Sequence, residues 1–302
     1  MKYVITGATS FIGAELVKYL LKRGNCVYAI CRRGSTAVEK IQSSAITIFA
    51  DMHDYATIYE RVPEADVFVN LAWGGTGHDG RNASDIQKEN VDNTLQAIQS
   101  ANRMRCKIFV EAGSQAEYGT IIDEITEDTQ CNPFSEYGKA KLEVKERAFE
   151  LCEKLGMKYI HLRIFSVFGE NDHPWTLVMS SIDKMLKGET VNLSPCTQSW
   201  NFIYIKDAVR QIVGLCEYAI NSDDFKHEVY NVASDDTREL RFFVEELKQL
   251  TNSDSKLNFG AIQPSNIVSL RPNISKLISA THIVTFTPFA DVVNFIIKKI
   301  KR

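Results

Sequence analysis

The chain has 302 residues, 44% of them hydrophobic and 24% charged, with a formal net charge of −3. That composition fits a soluble globular enzyme of one or two domains, and the slightly acidic balance has no basic excess that would suggest a nucleic-acid partner. No run of apolar residues is long enough to span a membrane, and Met1 leads into Tyr3-Val4-Ile5 without a charged leader, so the chain is expected in the cytoplasm.

The first expected strand, Lys2 to Thr6, runs into Thr6-Gly7-Ala8-Thr9-Ser10-Phe11-Ile12-Gly13 and then a helix marked by Ile12, Leu16, Tyr19 and Leu20 and stopped by Gly24. A turn in that context is a dinucleotide fingerprint: Gly7 allows the tight turn, Gly13 allows close helix packing, and the free N–H groups from Thr9 to Ile12 face a pyrophosphate. The second strand, Cys26 to Cys31, is followed by Arg32-Arg33 where an NAD-preferring site carries a carboxylate. A guanidinium there binds a 2′-phosphate, so the expected cofactor is NADP, with NAD as the alternative if both arginines are solvated. The third strand, Ile46 to Ala50, leads to Asp51-Met52, with Asp51 positioned for an adenine amino group. The fourth, Val67 to Ala72, brings Leu71, Ala72 and Trp73 to the cofactor's path.

A fifth strand, Lys107 to Ala112, leads to Ser114. Tyr137 and Lys141 follow on a helix continued by Val144, Ala148, Leu151 and Leu155 and ended by Gly156, before a sixth strand, Tyr159 to Phe165. Positions i and i+4 share a helix face, so this phenol and ammonium can act on one ligand. A phenol with a pKa of ~10 exchanges protons poorly at neutral pH unless a cation favours its phenolate, and Lys141 can supply that cation. Strand and helix repeated in this way imply an α/β protein with a doubly wound parallel sheet covered on both faces. Beyond residue 165 the pattern is less regular, with a helix over Asp207 to Tyr218 and a strand over Val229 to Val232. No repeat or low-complexity linker separates the parts, so a second domain is expected to be intertwined with the first. The basic end, Lys298-Lys299-Ile300-Lys301-Arg302, suits the C-terminus of a helix. The seven scattered cysteines read as buried thiols, and the six histidines have no metal-ligand spacing, so no metal is expected.

Taken together, Thr6-Gly7 through Gly13, Asp51-Met52, Asn70-Leu71-Ala72, Asn90-Val91, Ser114 with Tyr118-Gly119, Tyr137 with Lys141, Leu162-Arg163, Val167-Phe168-Gly169, Tyr230-Asn231-Val232 and Arg271-Pro272 resemble the extended short-chain dehydrogenase/reductase family of nucleotide-sugar epimerases, dehydratases and reductases. The resemblance implies a Rossmann domain of residues 1–165 and about 206–232. It also implies a smaller domain, 166–205 and 233–302, that binds a nucleoside-diphosphate sugar, and a homodimer built through two helices per subunit. It gives Ser114 the sugar hydroxyl or carbonyl, Tyr137 the proton, and Lys141 the nicotinamide ribose and the tuning of Tyr137.

Departures from the family pattern narrow the reaction. Gln115 and Ala116 stand where 4,6-dehydratases carry Asp-Glu, so dehydration is not expected. Ser10 replaces a middle glycine, either to assist a 2′-phosphate or as a tolerated change. Trp200-Asn201 replaces Arg-Asp, leaving the diphosphate to Arg271, alone or with Arg81; Trp200 either stacks on the ligand or is core, and Ser166 either touches substrate or closes a tight loop. The expected activity is NADPH-dependent reduction of a nucleoside-diphosphate 4-keto-6-deoxyhexose at C4. The alternatives are an NAD(P)-dependent 4-epimerase and a catalytically silent NADP(H) sensor.

Overall fold

Strand and helix alternate through the first half of the computed structural model, which describes residues 1–77, 79–263 and 268–301, Lys40 by its backbone alone. The elements are β1 (Lys2–Thr6), α1 (Phe11–Lys22), β2 (Cys26–Cys31), β3 (Ile46–Phe49), β4 (Val67–Asn70), α2 (Ser84–Arg103), β5 (Ile108–Ser114), α3 (Glu136–Leu155) and β6 (Lys158–Ile164). There follow β7 (Ser166–Phe168), α4 (Leu177–Leu186), β8 (Val191–Asn192), β9 (Ser199–Tyr204), α5 (Ile205–Asn221), β10 (His227–Val232), β11 (Thr237–Glu239), α6 (Leu240–Thr251), β12 (Leu257–Asn258), α7 (Ser275–Thr281) and α8 (Phe289–Ile300).

Seven parallel strands form one sheet in the order β10-β6-β5-β4-β1-β2-β3. The strand order reverses between β1 and β4, and the crevice at their C-terminal ends is where an open α/β sheet takes its ligand. Side chains alternate across the sheet: Tyr3 and Ile5 pack with Leu16 and Leu20 of α1 and with α5, whereas Val4 packs with Val91 and Ile98 of α2 and Val144 of α3. Burial on both faces is why these strands read as nearly continuous apolar runs.

Several boundaries differ from the sequence expectation, three of them at the ends that face the site. The fourth strand stops at Asn70 rather than Ala72, because the amides of Leu71 and Ala72 leave the ladder and donate to the Thr6 hydroxyl at 3.2 and 3.3 Å. The fifth runs two residues further, to Ser114. The sixth ends at Ile164, and the chain switches into β7, which joins β9 and β11 in a separate three-stranded sheet.

That small sheet packs against α6 and α8 through Phe168, Phe202, Phe243 and Phe289, with Phe168 and Phe289 centroids 4.9 Å apart. Asn201 is fully buried and ties β9 to the chain after β10, donating to the Ser234 carbonyl and the Thr237 hydroxyl. Lys298 and Lys299 lie in the last turn of α8, where the helix dipole favours cations; Arg302 lies outside the described residues. Among the described residues no helix is long and apolar enough to cross a membrane.

Candidate active site

The turn from β1 into α1 is built for close approach. Gly7 has φ +63°, and a Cβ on it would lie 2.9 Å from the Ala72 nitrogen; one on Gly13 would lie 2.1 Å from the Gly7 carbonyl oxygen. Beyond the turn opens a cavity of about 430 Å³. Gly7, Thr9 and Ser10 line it from the turn, Arg32 from the end of β2, Asp51 and Met52 from beyond β3, and Leu71, Ala72 and Trp73 from beyond β4. A cradle that side chains would fill, under a helix N-terminus, fits a dinucleotide.

Not every residue expected here faces the cavity. Arg33 turns away and pairs with Asp54 at 2.6 Å and Asp51 at 3.2 Å, two carboxylates fixed by a capping box at the start of a 3₁₀ helix, Met52–Glu60. Asp51, His53 and Asp54 converge, but Arg33 already occupies both carboxylates. Ser10 lines the cavity and also N-caps α1, its hydroxyl accepting from the Gly13 N–H at 3.0 Å, while Phe11 and Ile12 pack against the core.

The residues expected to transfer the proton gather where α3 begins. Ser135 caps that helix, and Gly138 lets it pass so close to the turn after Ser114 that a Cβ there would sit 2.6 Å from the Ala116 carbonyl oxygen. Tyr137, half-buried in the first turn, meets the Trp73 indole edge-on, with centroids 6.1 Å apart, and carries the Arg81 guanidinium 4.3 Å from its ring centroid. Lys141, only 3% exposed, points inward: its ammonium donates to Glu111 Oε1 at 3.2 Å and to the Ala112 carbonyl, and lies 3.4 Å from the Trp73 ring centroid. The Glu111 carboxylate also accepts from Asn70 at 2.7 Å, and Asn70 accepts from the Thr6 hydroxyl that holds Leu71 and Ala72. A hydrogen-bonded chain therefore joins Lys141 to the turn between β1 and α1. Burial pushes the Glu111 carboxyl up, against the opposing pull of Lys141 and Asn70.

Ser114 ends β5 and caps the short turn Gln115–Glu117, its hydroxyl accepting from the Ala116 N–H at 3.2 Å. Its own N–H donates to Glu117 at 2.7 Å. Glu117 is fully buried and also receives His161 at 2.9 Å and Arg163 at 2.9 Å. Burial alone would raise its carboxyl, but His161, Arg163 and the Ser114 N–H outweigh that and hold it at about 2.

The loop carrying Trp73 and Arg81 is pinned by two buried amides of α2. Gln87 accepts from the Trp73 indole N–H at 2.8 Å and donates to the Gly75 and Gly80 carbonyls; Asn90 bonds the Gly74 N–H and carbonyl. Sequence reasoning named Asn90 but missed Gln87, Glu111 and Glu117. The signal for Glu111 was a carboxylate inside an otherwise apolar strand.

The residues expected to hold substrate do not line the dinucleotide cavity. Ser166 opens β7, and Trp200 packs beside Phe202 with its buried indole N–H lacking a partner among the described residues. Arg271 has an exposed side chain and accepts the Ile125 N–H through its carbonyl. A larger cavity, about 550 Å³, opens elsewhere, beside Phe149, Arg163 and His227 at the β10 edge.

A sequence model described as the NAD dependent epimerase/dehydratase family matches residues 3–233. The CDP-abequose synthase of Yersinia pseudotuberculosis is 26% identical over 281 residues, covering 90% of this chain and 92% of that protein. The dTDP-6-deoxy-L-talose 4-dehydrogenase (NAD(+)) of Aggregatibacter actinomycetemcomitans is 28% identical over 256 residues, 82% of this chain and 89% of that one. The crystal structure of a UDP-glucuronic acid 4-epimerase from Bacillus cereus in complex with NAD covers 100% of both chains with a TM-score of 0.84 at 22% identity, a likeness of fold.

Proposed function

The chain belongs to the NAD dependent epimerase/dehydratase family, and within it we propose an NADPH-dependent reductase that converts the 4-keto group of a nucleoside-diphosphate 6-deoxyhexose to an alcohol. It is an enzyme of the extended short-chain dehydrogenase/reductase type. The observation that carries the cofactor preference is Arg32, which lines the dinucleotide cavity while its neighbour Arg33 is taken up by Asp51 and Asp54. The 4-dehydrogenase relative supports the reaction, because its chemistry run backwards reduces a 4-keto-6-deoxy sugar. That relative uses NAD, so the preference for NADPH rests on Arg32.

Bound reduced nicotinamide supplies the hydride. Tyr137 donates its proton to the carbonyl oxygen as that oxygen gains charge. Ser114 already accepts a hydrogen bond from the Ala116 N–H, which leaves its own O–H to donate to the same oxygen. Gln115 and Ala116, an amide and a methyl, offer no acid–base pair for dehydration. Arg271, Ser166 and Trp200 are our candidates for the nucleotide-sugar contacts. A dimer built through α2 and α3 would join helices that carry exposed charges together with the exposed Ile86 and Phe149.

The reading is tested by incubating the protein with a panel of nucleotide 4-keto-6-deoxysugars and following NADPH and NADH absorbance. NADPH should be consumed in preference, and Tyr137→Phe should lose on the order of a hundredfold in turnover while still binding NADPH. Consumption of NADH alone would overturn the cofactor assignment, and an epimerised product without net consumption would overturn the reaction.

A further inference from the structure

We propose that Glu111 is a positioning residue: by accepting from Lys141 on one side and Asn70 on the other, it sets the hydrogen-bond direction that runs through Asn70 and Thr6 to the cavity wall at Leu71 and Ala72. The proposal rests on the reading of that cavity as the dinucleotide site, and it concerns how the wall is held, not which sugar is reduced.

Both oxygens of this fully buried carboxylate accept. Lys141 donates to Oε1 at 3.2 Å and Asn70 Nδ2 donates to Oε2 at 2.7 Å, so the group carries no proton of its own. An acceptor on that side obliges Asn70 to turn its NH2 toward β5 and its carbonyl oxygen toward β1. There the oxygen takes the Thr6 O–H at 2.5 Å. With its one proton given to Asn70, the Thr6 hydroxyl keeps two lone pairs, and the Leu71 and Ala72 N–H groups use both, at 3.2 and 3.3 Å. A side branch runs in the same direction: the Thr94 hydroxyl gives its proton to the Asn90 carbonyl at 2.9 Å and accepts from Asn70 at 3.4 Å.

The direction matters because Leu71 and Ala72 line the cavity and also support the turn opposite them, the Ala72 nitrogen lying 2.9 Å from where a Gly7 Cβ would be. Glu111 itself does not line the cavity. An amide at position 111 would keep an acceptor for Lys141 but turn a donor toward Asn70. Asn70 would have to reverse, and its NH2 would then compete with Leu71 and Ala72 for the Thr6 lone pairs while the Thr6 proton lost its acceptor. One carboxylate thus holds the Lys141 ammonium and, through two polar side chains, the backbone after β4.

The test exchanges acid and amide. Glu111→Gln sets two donors face to face and Asn70→Asp sets two carboxylates face to face, so each alone breaks the direction. The double variant Glu111→Gln/Asn70→Asp restores it: the new amide donates to the new carboxylate, which still accepts from Thr6, while Lys141 keeps an acceptor and Thr94 turns its proton to the carboxylate. One readout is hydrogen exchange at the Leu71 and Ala72 amides in the protein without cofactor, and the other is the calorimetric affinity for NADPH and NADH. Each single variant should speed exchange at both amides and weaken both dinucleotides by about tenfold. The double variant should return both readouts to within about threefold of the parent, a rescue that loss of packing alone would not give. Should a single variant fold poorly, the double variant decides alone, parent-like exchange and binding upholding the proposal and loss of either overturning it. Unchanged exchange in Glu111→Gln, or a double variant no better than the worse single one, would also overturn it. Neither readout needs turnover, so a rescued double variant in a protein that reduces no 4-keto sugar would uphold the proposal and overturn the reaction assigned above.

Discussion

Arg32 and Arg33 are adjacent in the sequence and part company in the fold. Nothing local distinguishes them; Asp51 and Asp54, at positions brought near by β3, capture the second and leave the first on the cavity. Sequence could therefore read a cation at this place but not which one. The two arginines should respond differently to charge reversal. On the NADPH reading proposed above, Arg32→Glu would remove charge-assisted bonds to a 2′-phosphate, worth about 1.5–3 kcal/mol, so kcat/KM with NADPH should fall tenfold to a hundredfold while that with NADH holds or rises. Arg33→Glu breaks exposed ion pairs and should leave the cofactor ratio nearly unchanged. Steady-state kinetics with both cofactors decide it, and an unchanged ratio in Arg32→Glu would remove the basis for NADPH. Lys141 marks another limit of the sequence: its spacing from Tyr137 was legible, but its inward turn depends on Glu111, thirty residues earlier.

Among the elements, the turn Gln115–Glu117 illustrates how a buried charge can fix a candidate catalytic residue. Glu117 holds the backbone of Ser114 while its own charge is met by His161 and Arg163 on β6, so two neighbouring strands are tied together at the site. A carboxyl depressed from 4.5 to about 2 contributes stability that is fully present above pH ~4.5 and is lost as pH falls towards 2. That shift corresponds to an order of magnitude of ~3 kcal/mol. Glu117→Gln should cost about that much in urea denaturation at pH 7, and the gap to the parent protein should close as pH approaches 2; a gap constant with pH would show that charge is not what Glu117 contributes. Helix ends were readable because Gly24 and Gly156 take positive φ where the periodicity stops. The early end of β4 was not, because it depends on a hydroxyl from β1.

For the whole molecule, the parallel sheet was legible because strands buried on both faces must be apolar throughout, and helices between them must carry one apolar stripe. The layers built from β7, β9 and β11 were not, because those strands are short and their cohesion comes from four phenylalanines far apart in sequence. Trp200 shows the consequence: it packs against this aromatic layer, yet its indole N–H remains unpartnered among the described residues, so it is well placed in the fold and still a candidate for ligand contact. The sheet's switch point brings the dinucleotide turn, Trp73 and the start of α3 together, and on the reading proposed above this junction performs net reduction with Tyr137 as acid. Transfer of deuterium from the reduced nicotinamide tests it most directly. With deuterated NADPH and a nucleotide 4-keto-6-deoxysugar, mass spectrometry should find one deuterium on the product's sugar ring for each cofactor oxidised. A product without label, or one isomeric with its substrate while the cofactor stays reduced, would contradict the account.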